Sequence, residues 1–255
     1  MSGGARAIAC FSFDNMGEAA EVGAGALAGP RPPGADPSLV RGYPAVLTLL
    51  ERHAIRSTFF VEGWNGVHHP DEVAEIVRRG HELGMHGWLH EDWGRLDPAV
   101  ERDLAVRSTD ALESASGVRP RGFRAPGGVR GPRTERTLID LGYRYDASLG
   151  DGMRPAVLPS GLAQVPFVWP GVDGFHYLAA ERPAAPQRVR DVWLAALRRA
   201  VDRGGLFLTV CHPFLTGVDA ARLEALEAVI EAAAAQPGVR ILTVGEAAET
   251  VAAAG

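Results

Sequence analysis

His86-Gly87-Trp88-Leu89-His90 sets two imidazoles four positions apart. If the backbone turns helically there, both rings lie on one face and can meet a single divalent metal such as zinc. A metal held that way, with a position left open, can polarise an amide carbonyl and acidify water. In a chain with eight histidines, such a pair is as readily two unrelated residues on a surface turn, so the rest of the sequence must decide.

Composition removes several other chemistries. All 26 basic residues are arginine, which leaves no lysine for a Schiff base or a phosphate-binding Walker loop. No G-x-S-x-G elbow offers a serine nucleophile. The two cysteines, Cys10 and Cys211, sit inside apolar, strand-like runs and behave as small buried hydrophobes, so no disulfide framework is expected. A net charge of -5 gives no basic footprint for nucleic acid. No apolar run reaches the length of a membrane span, and residues 1–6 lack the basic-then-apolar layout of a signal peptide. The expectation is a cytoplasmic protein without a transmembrane segment.

The elements that would position these groups follow from periodicity. Residues 7–13 form an apolar run suited to a strand buried on both faces, with Asp14 and Asn15 at its tip. Residues 16–44, rich in Gly, Ala and Pro, are expected to form a long loop walling a substrate site. A helix over 43–53, a strand over 57–61, a helix over 71–79 stopped by Gly80 and a strand over 81–85 come next. Asp97-Pro98 opens a helix running to about 116. Further elements are a helix over 133–141, strands at 143–147 and 164–168 with a second long loop over 150–170, a helix over 187–203 and a strand over 206–211. A helix over 220–235, a strand over 239–242 and a helix over 245–254 complete the chain. About eight strand-then-helix units in one domain, 1–255, favour a parallel α/β barrel over an open sheet. In either, functional groups gather past the C-terminal strand ends, where Asp14, Asn15, His86, His90, Arg124 and His212 all fall.

Four motifs occur in order: Phe11-Ser12-Phe13-Asp14-Asn15, the histidine pair, Phe123-Arg124-Ala125-Pro126-Gly127-Gly128, and Val210-Cys211-His212-Pro213. Together they resemble the polysaccharide deacetylase family, the NodB-homology group of carbohydrate esterases (family 4), with its T-F-D-D, H-x-x-x-H, R-x-P-x-G and late H-P patterns. The resemblance implies a deformed (β/α) barrel of about seven to eight parallel strands. It also implies a divalent metal at the rim, zinc first, with cobalt, nickel or manganese as alternatives. Carried over position by position, it makes Asp14 the catalytic base, Asn15, His86 and His90 the metal ligands, Arg124 the residue that holds the base, and His212 the acid. Asn15 departs from the family pattern, which has aspartate there. An amide oxygen brings no charge, so metal should bind more weakly yet stay more electrophilic. Glu18, Glu91 or Asp14 itself could supply the missing carboxylate.

The residues carry this chemistry without the family's name. An aspartate takes a proton from the attacking water, and amide cleavage then needs a proton on the departing amine, to which His212 is suited. The expectation is a hydrolase removing an acetyl or other small acyl group from an N-acylated, sugar-like small molecule. The alternatives are a cyclic amide or ureide hydrolase and a non-catalytic carbohydrate-binding barrel with a decayed metal site. His68-His69-Pro70 is read as a loop before a helix, His53, His81 and His176 as structural, and Trp88, Trp169 and Phe214 as core or pocket wall, with sugar stacking a lesser alternative for Trp169; Asp173 is offered as a partner for His212.

Overall fold

The computed structural model describes residues 7–179 and 181–252; residues 1–6, read above for a leader, lie outside them. The central strand, β1 (Ala7–Asp14), is buried along its length because its faces meet different cores. Phe11 and Phe13 point outward into a core shared with the surrounding helices. Cys10 points inward to Phe60 and Tyr145, and alternation puts Ser12 and Asp14 on that same inner face.

Eight more strands are formed among the described residues: β2 (Thr58–Val61), β3 (Glu82–Met85), β4 (Gly122–Phe123), β5 (Tyr145–Asp146), β6 (Ala156–Val157), β7 (Ala163–Gln164), β8 (Leu206–Cys211) and β9 (Val239–Ile241). They pair in the order β6-β7-β5-β4-β3-β2-β1-β8, with β9 also on β1. Every pairing is parallel except β6 with β7. Past β7 the chain bridges Leu149 through Phe167 and then Val210 of β8 through Val172. That last bridge joins the two ends of the curled sheet, a deformed barrel as expected. The strands missed by periodicity are β4 and β6, each two residues long and too short to carry a pattern.

Helices cover the outside, and their ends follow ordinary capping chemistry. In Pro98–Ser116, Asp97 accepts a hydrogen bond from the Ala99 N–H at 2.8 Å, proline occupies the first turn, and Gly117 closes the helix at φ 73. Val244–Ala252 closes the bottom of the barrel, with Val244, Ala247 and Ala248 in the inner core. None of the described helices is long and apolar enough to cross a membrane.

Two segments before β3 differ from the sequence reading. Residues 16–44 are not a plain loop: they contain a short helix, Ala19–Gly23, and a π-helical turn, Ser38–Gly42. Buried Glu18 fastens them by accepting from the Arg31 N–H at 3.0 Å and from His69 Nε2 at 3.1 Å. Gly63–His68 is also helical, pressed so closely onto Pro98–Ser116 that a Cβ on Gly63 would lie 2.4 Å from the Ser108 Cα. The glycines that permit this contact are what hide the helix from a hydrophobic period.

Candidate active site

Asp14 ends β1 on its inner face, and Arg124 follows β4 on the same face. Both are nearly inaccessible. Arg124 Nη1 donates to Asp14 Oδ1 at 2.7 Å and to Ser12 Oγ at 2.9 Å, while its Nε donates to the Ala147 carbonyl at 2.9 Å. The Phe60 ring lies 4.2 Å below the guanidinium carbon. A buried guanidinium persists only when paired, and this one is clamped by three acceptors around one carboxylate oxygen. Asp14 Oδ2 stays on the side of His86, 3.9 Å from Nε2.

The histidine pair sits in a tight loop, not the helical turn that its spacing allowed. Gly87 (φ 76) and His90 (φ 63) are both left-handed, and a Cβ on Gly87 would come within 2.8 Å of Glu91 Oε2. Glu91 spends its carboxylate on the loop, accepting from the Trp88 N–H at 3.0 Å and the Leu89 N–H at 2.8 Å. The two rings still converge, with centroids 5.1 Å apart. His86 Nδ1 lies 2.8 Å from the Arg124 carbonyl. That contact requires the proton on Nδ1 and leaves the Nε2 lone pair free, the tautomer a metal ligand needs. Burial pushes His86 down to about 3, so the ring is neutral at physiological pH; burial and then His212 lower His90 also.

Asn15 completes the set. Its backbone is left-handed (φ 56), and its Oδ1 is buried without a hydrogen-bond partner. A buried, unsatisfied acceptor costs about 1–3 kcal/mol unless something absent from the protein atoms meets it. With two neutral imidazoles lining the same cavity, that donor set fits a divalent cation. Of the carboxylates expected to make up for the missing charge, Glu18 and Glu91 are engaged elsewhere, and Asp14 is the one facing His86. Among the described residues, one closely spaced trio of histidine and carboxylates exists, His53, Glu227 and Glu231. There Glu227 already accepts from Arg52 at 2.7 Å and His53 at 2.8 Å, which makes it an ion-pair cluster.

His212 follows β8 opposite Asp14. Its backbone N–H donates to Asp173 Oδ2 at 2.8 Å, its Nδ1–H to Asp173 Oδ1 at 2.5 Å, and the Thr216 hydroxyl donates to the same carboxylate at 2.6 Å. Burial alone would depress the imidazole; the Asp173 charge and hydrogen bond override it, helped by Asp14, so its pKa is raised. Asp173 is therefore the partner that the sequence marked only faintly. Its position comes from the Val172–Val210 bridge, which a linear reading does not contain.

Asp14, Asn15, His86, His90, Arg124 and His212 all line one cavity of about 310 Å³. Glu62, unassigned from sequence, lies one residue past β2. Its Oε2 accepts from Asn65 Nδ2 at 2.8 Å and its Oε1 has no partner. Burial first, then the charges on Asp14 and Glu91, push it up to about 8, so it is a neutral acid at neutral pH. Strand parity could have found it, since Glu62 extends the inner face of Thr58 and Phe60.

Residues 32–145 match the family model described as polysaccharide deacetylase. A peptidoglycan deacetylase-like protein of Gibberella zeae is 36% identical over 110 residues, 42% of this chain and 32% of that protein. The chain matches between 32% and 40% of the length of such curated relatives. A Mycobacterium smegmatis crystal structure, provisionally a polysaccharide deacetylase, superposes with a TM-score of 0.86 at 29% identity, covering 100% of this chain and 93% of that one. The Puue allantoinase shares the fold, with a TM-score of 0.84 at 22% identity over 98% of this chain and 91% of that one.

Proposed function

We propose that the chain, whose residues 32–145 match the polysaccharide deacetylase model, is a member of that family and a metal-dependent hydrolase of a non-peptide carbon–nitrogen bond. It removes an acetyl or other small acyl group from an N-acylated amino sugar or a related small molecule. The observation that carries this reading is the buried Asp14 carboxylate, one oxygen clamped by Arg124 and the other turned to His86, in the same cavity as an Asp173-held His212.

Asn15, His86 and His90 would hold the cation, zinc first, which when bound supplies Lewis acidity toward the amide carbonyl and the attacking water. Asp14 accepts the proton from that water, and Arg124 fixes the carboxylate in place without sharing its second oxygen. His212, kept protonated and oriented by Asp173, delivers a proton to the departing amine, without which the amide would re-form.

The test is an assay for free carboxylate and free amine with N-acetylated amino sugars, before chelation, after chelation and after return of zinc, cobalt or manganese. Activity should disappear with the metal and come back with it. A ring-opened acid from a cyclic amide, with no release from linear amides, would move the enzyme to cyclic amide hydrolysis. Asn15→Asp should tighten metal retention by at least the roughly tenfold that even an outer partner of a ligand is worth. If metal and activity were found only in that variant, the native chain would be a binding barrel and not an enzyme.

A further inference from the structure

Among the described residues, the exposed phenylalanine, tyrosine and tryptophan side chains are Trp169, Phe175 and Phe214, at 41%, 52% and 39% exposure. All three line the cavity that holds Asp14 and His212. Leu178, at 61% the most exposed of the large hydrophobic side chains described, lines it too. Single exposed hydrophobes need no explanation, but a group gathered at one mouth does.

The wall they form is built and not loose. Trp169 meets Phe167 edge-on at 5.7 Å, and Phe214 meets the His212 ring at 5.3 Å. The turn beneath Trp169 is held at the Pro170 carbonyl, which accepts from Trp193 Nε1 at 3.0 Å and His176 Nε2 at 2.9 Å. Gly174 brings the wall up to the reacting groups: a Cβ there would lie 3.6 Å from Leu178 Cδ1 and 3.9 Å from His212 Cε1.

Outside the groups given roles above, the lining has no charged, amide or hydroxyl side chain. A sugar ring can stack on an aromatic face, but hydroxyls buried against such a wall would lose water without gaining partners. An apolar group loses nothing there and gains contact. The cavity is also at the small end of the range for small-molecule sites, roughly 300–1,000 Å³.

Resting on the hydrolase reading above, we propose that the substrate carries an aromatic or branched aliphatic group next to the scissile amide. Trp169, Phe175, Leu178 and Phe214 receive that group and set the specificity. The chemistry at the amide is unchanged; the wall decides which amide is presented to it.

The experiment offers the metal-reconstituted enzyme matched amides. These are N-acetylglucosamine, its disaccharide, and N-acyl compounds with a benzyl or isobutyl group on either the amine or the acyl side. The apolar amides should exceed N-acetylglucosamine in kcat/KM by about tenfold or more, the scale set by burying a few methylene equivalents in an apolar pocket. The better of the two arms identifies the side that faces the wall. Phe175→Ala and Leu178→Ala should each lower that ratio severalfold. A preference for the sugars, or a ratio unmoved in both variants, overturns the proposal while leaving the hydrolase reading intact. If no amide is cleaved, the hydrolase reading fails, and calorimetric titration of the benzyl amides judges the wall alone. Saturable binding weakened in Phe175→Ala sustains it, and no binding overturns it. A concentration-dependent dimer that Phe175→Ala dissociates would also overturn it, by making a second copy the occupant of the mouth.

Discussion

Asp14→Asn should lower kcat for amide cleavage by roughly 10²- to 10⁴-fold, the contribution of a positioned general base. The asparagine oxygen can still accept from Arg124 Nη1, so the clamp seen at 2.7 Å keeps its hydrogen bond and loses its charge. The variant therefore separates proton acceptance from positioning. Asp14→Ala removes both, leaving a buried guanidinium whose remaining partners are the Ser12 hydroxyl and the Ala147 carbonyl. That change should also destabilise the fold by about 3–5 kcal/mol, the cost of breaking a buried pair from one side. Turnover and urea midpoints measured on both variants check the pair of effects. An Asp14→Asn enzyme within tenfold of the parent would remove Asp14 from the role of base.

His212→Ala should cost a comparable 10²- to 10⁴-fold in kcat while leaving the bound metal at parental stoichiometry, because His212 is proposed to protonate the departing amine and is not among the proposed ligands. The pH profile carries the sharper signature. Burial pulls the imidazole down, and the Asp173 carboxylate, contacting both Nδ1 and the backbone N–H, more than reverses this. The donor form thus persists above the ordinary histidine range, near 6.5. A rate that needs protonated His212 falls as pH rises through that raised value. Asp173→Asn keeps an acceptor without the charge, so the basic limb of kcat should move to lower pH, and kcat at neutral pH should fall. A purely structural role for Asp173 would lower the rate without moving the limb.

Much of the frame was legible because burial leaves a signature along the chain. The inner and outer faces of β1 each meet a core, so residues 7–13 read as a continuous apolar run, and Asp97-Pro98 and Gly117 announce their helix at both ends. The site was legible as a set of rim positions, since a residue just past a parallel strand has one place to be. The local backbone was not. Four-residue spacing in His86 to His90 suggested a helical turn, whereas Gly87 and His90 reach the same convergence through left-handed conformations. Spacing records which side chains meet and not the path taken between them. Asp173 was obscure for a different reason: it stands 39 residues before His212, and the bridge between Val172 and Val210 that brings the two segments together leaves no mark in the sequence. Glu62 was readable by parity but carried no motif to draw attention to it. The glycines that allow Gly63–His68 to lie against its neighbouring helix erased the hydrophobic period that would have revealed it.

The most direct test of the account is anomalous scattering from crystals of the protein grown with zinc. One strong peak per chain is predicted at about 2 Å from His86 Nε2 and a ring nitrogen of His90, with Asn15 Oδ1 in its coordination sphere. A peak confined to His53, Glu227 and Glu231, or none between His86 and His90, would contradict it.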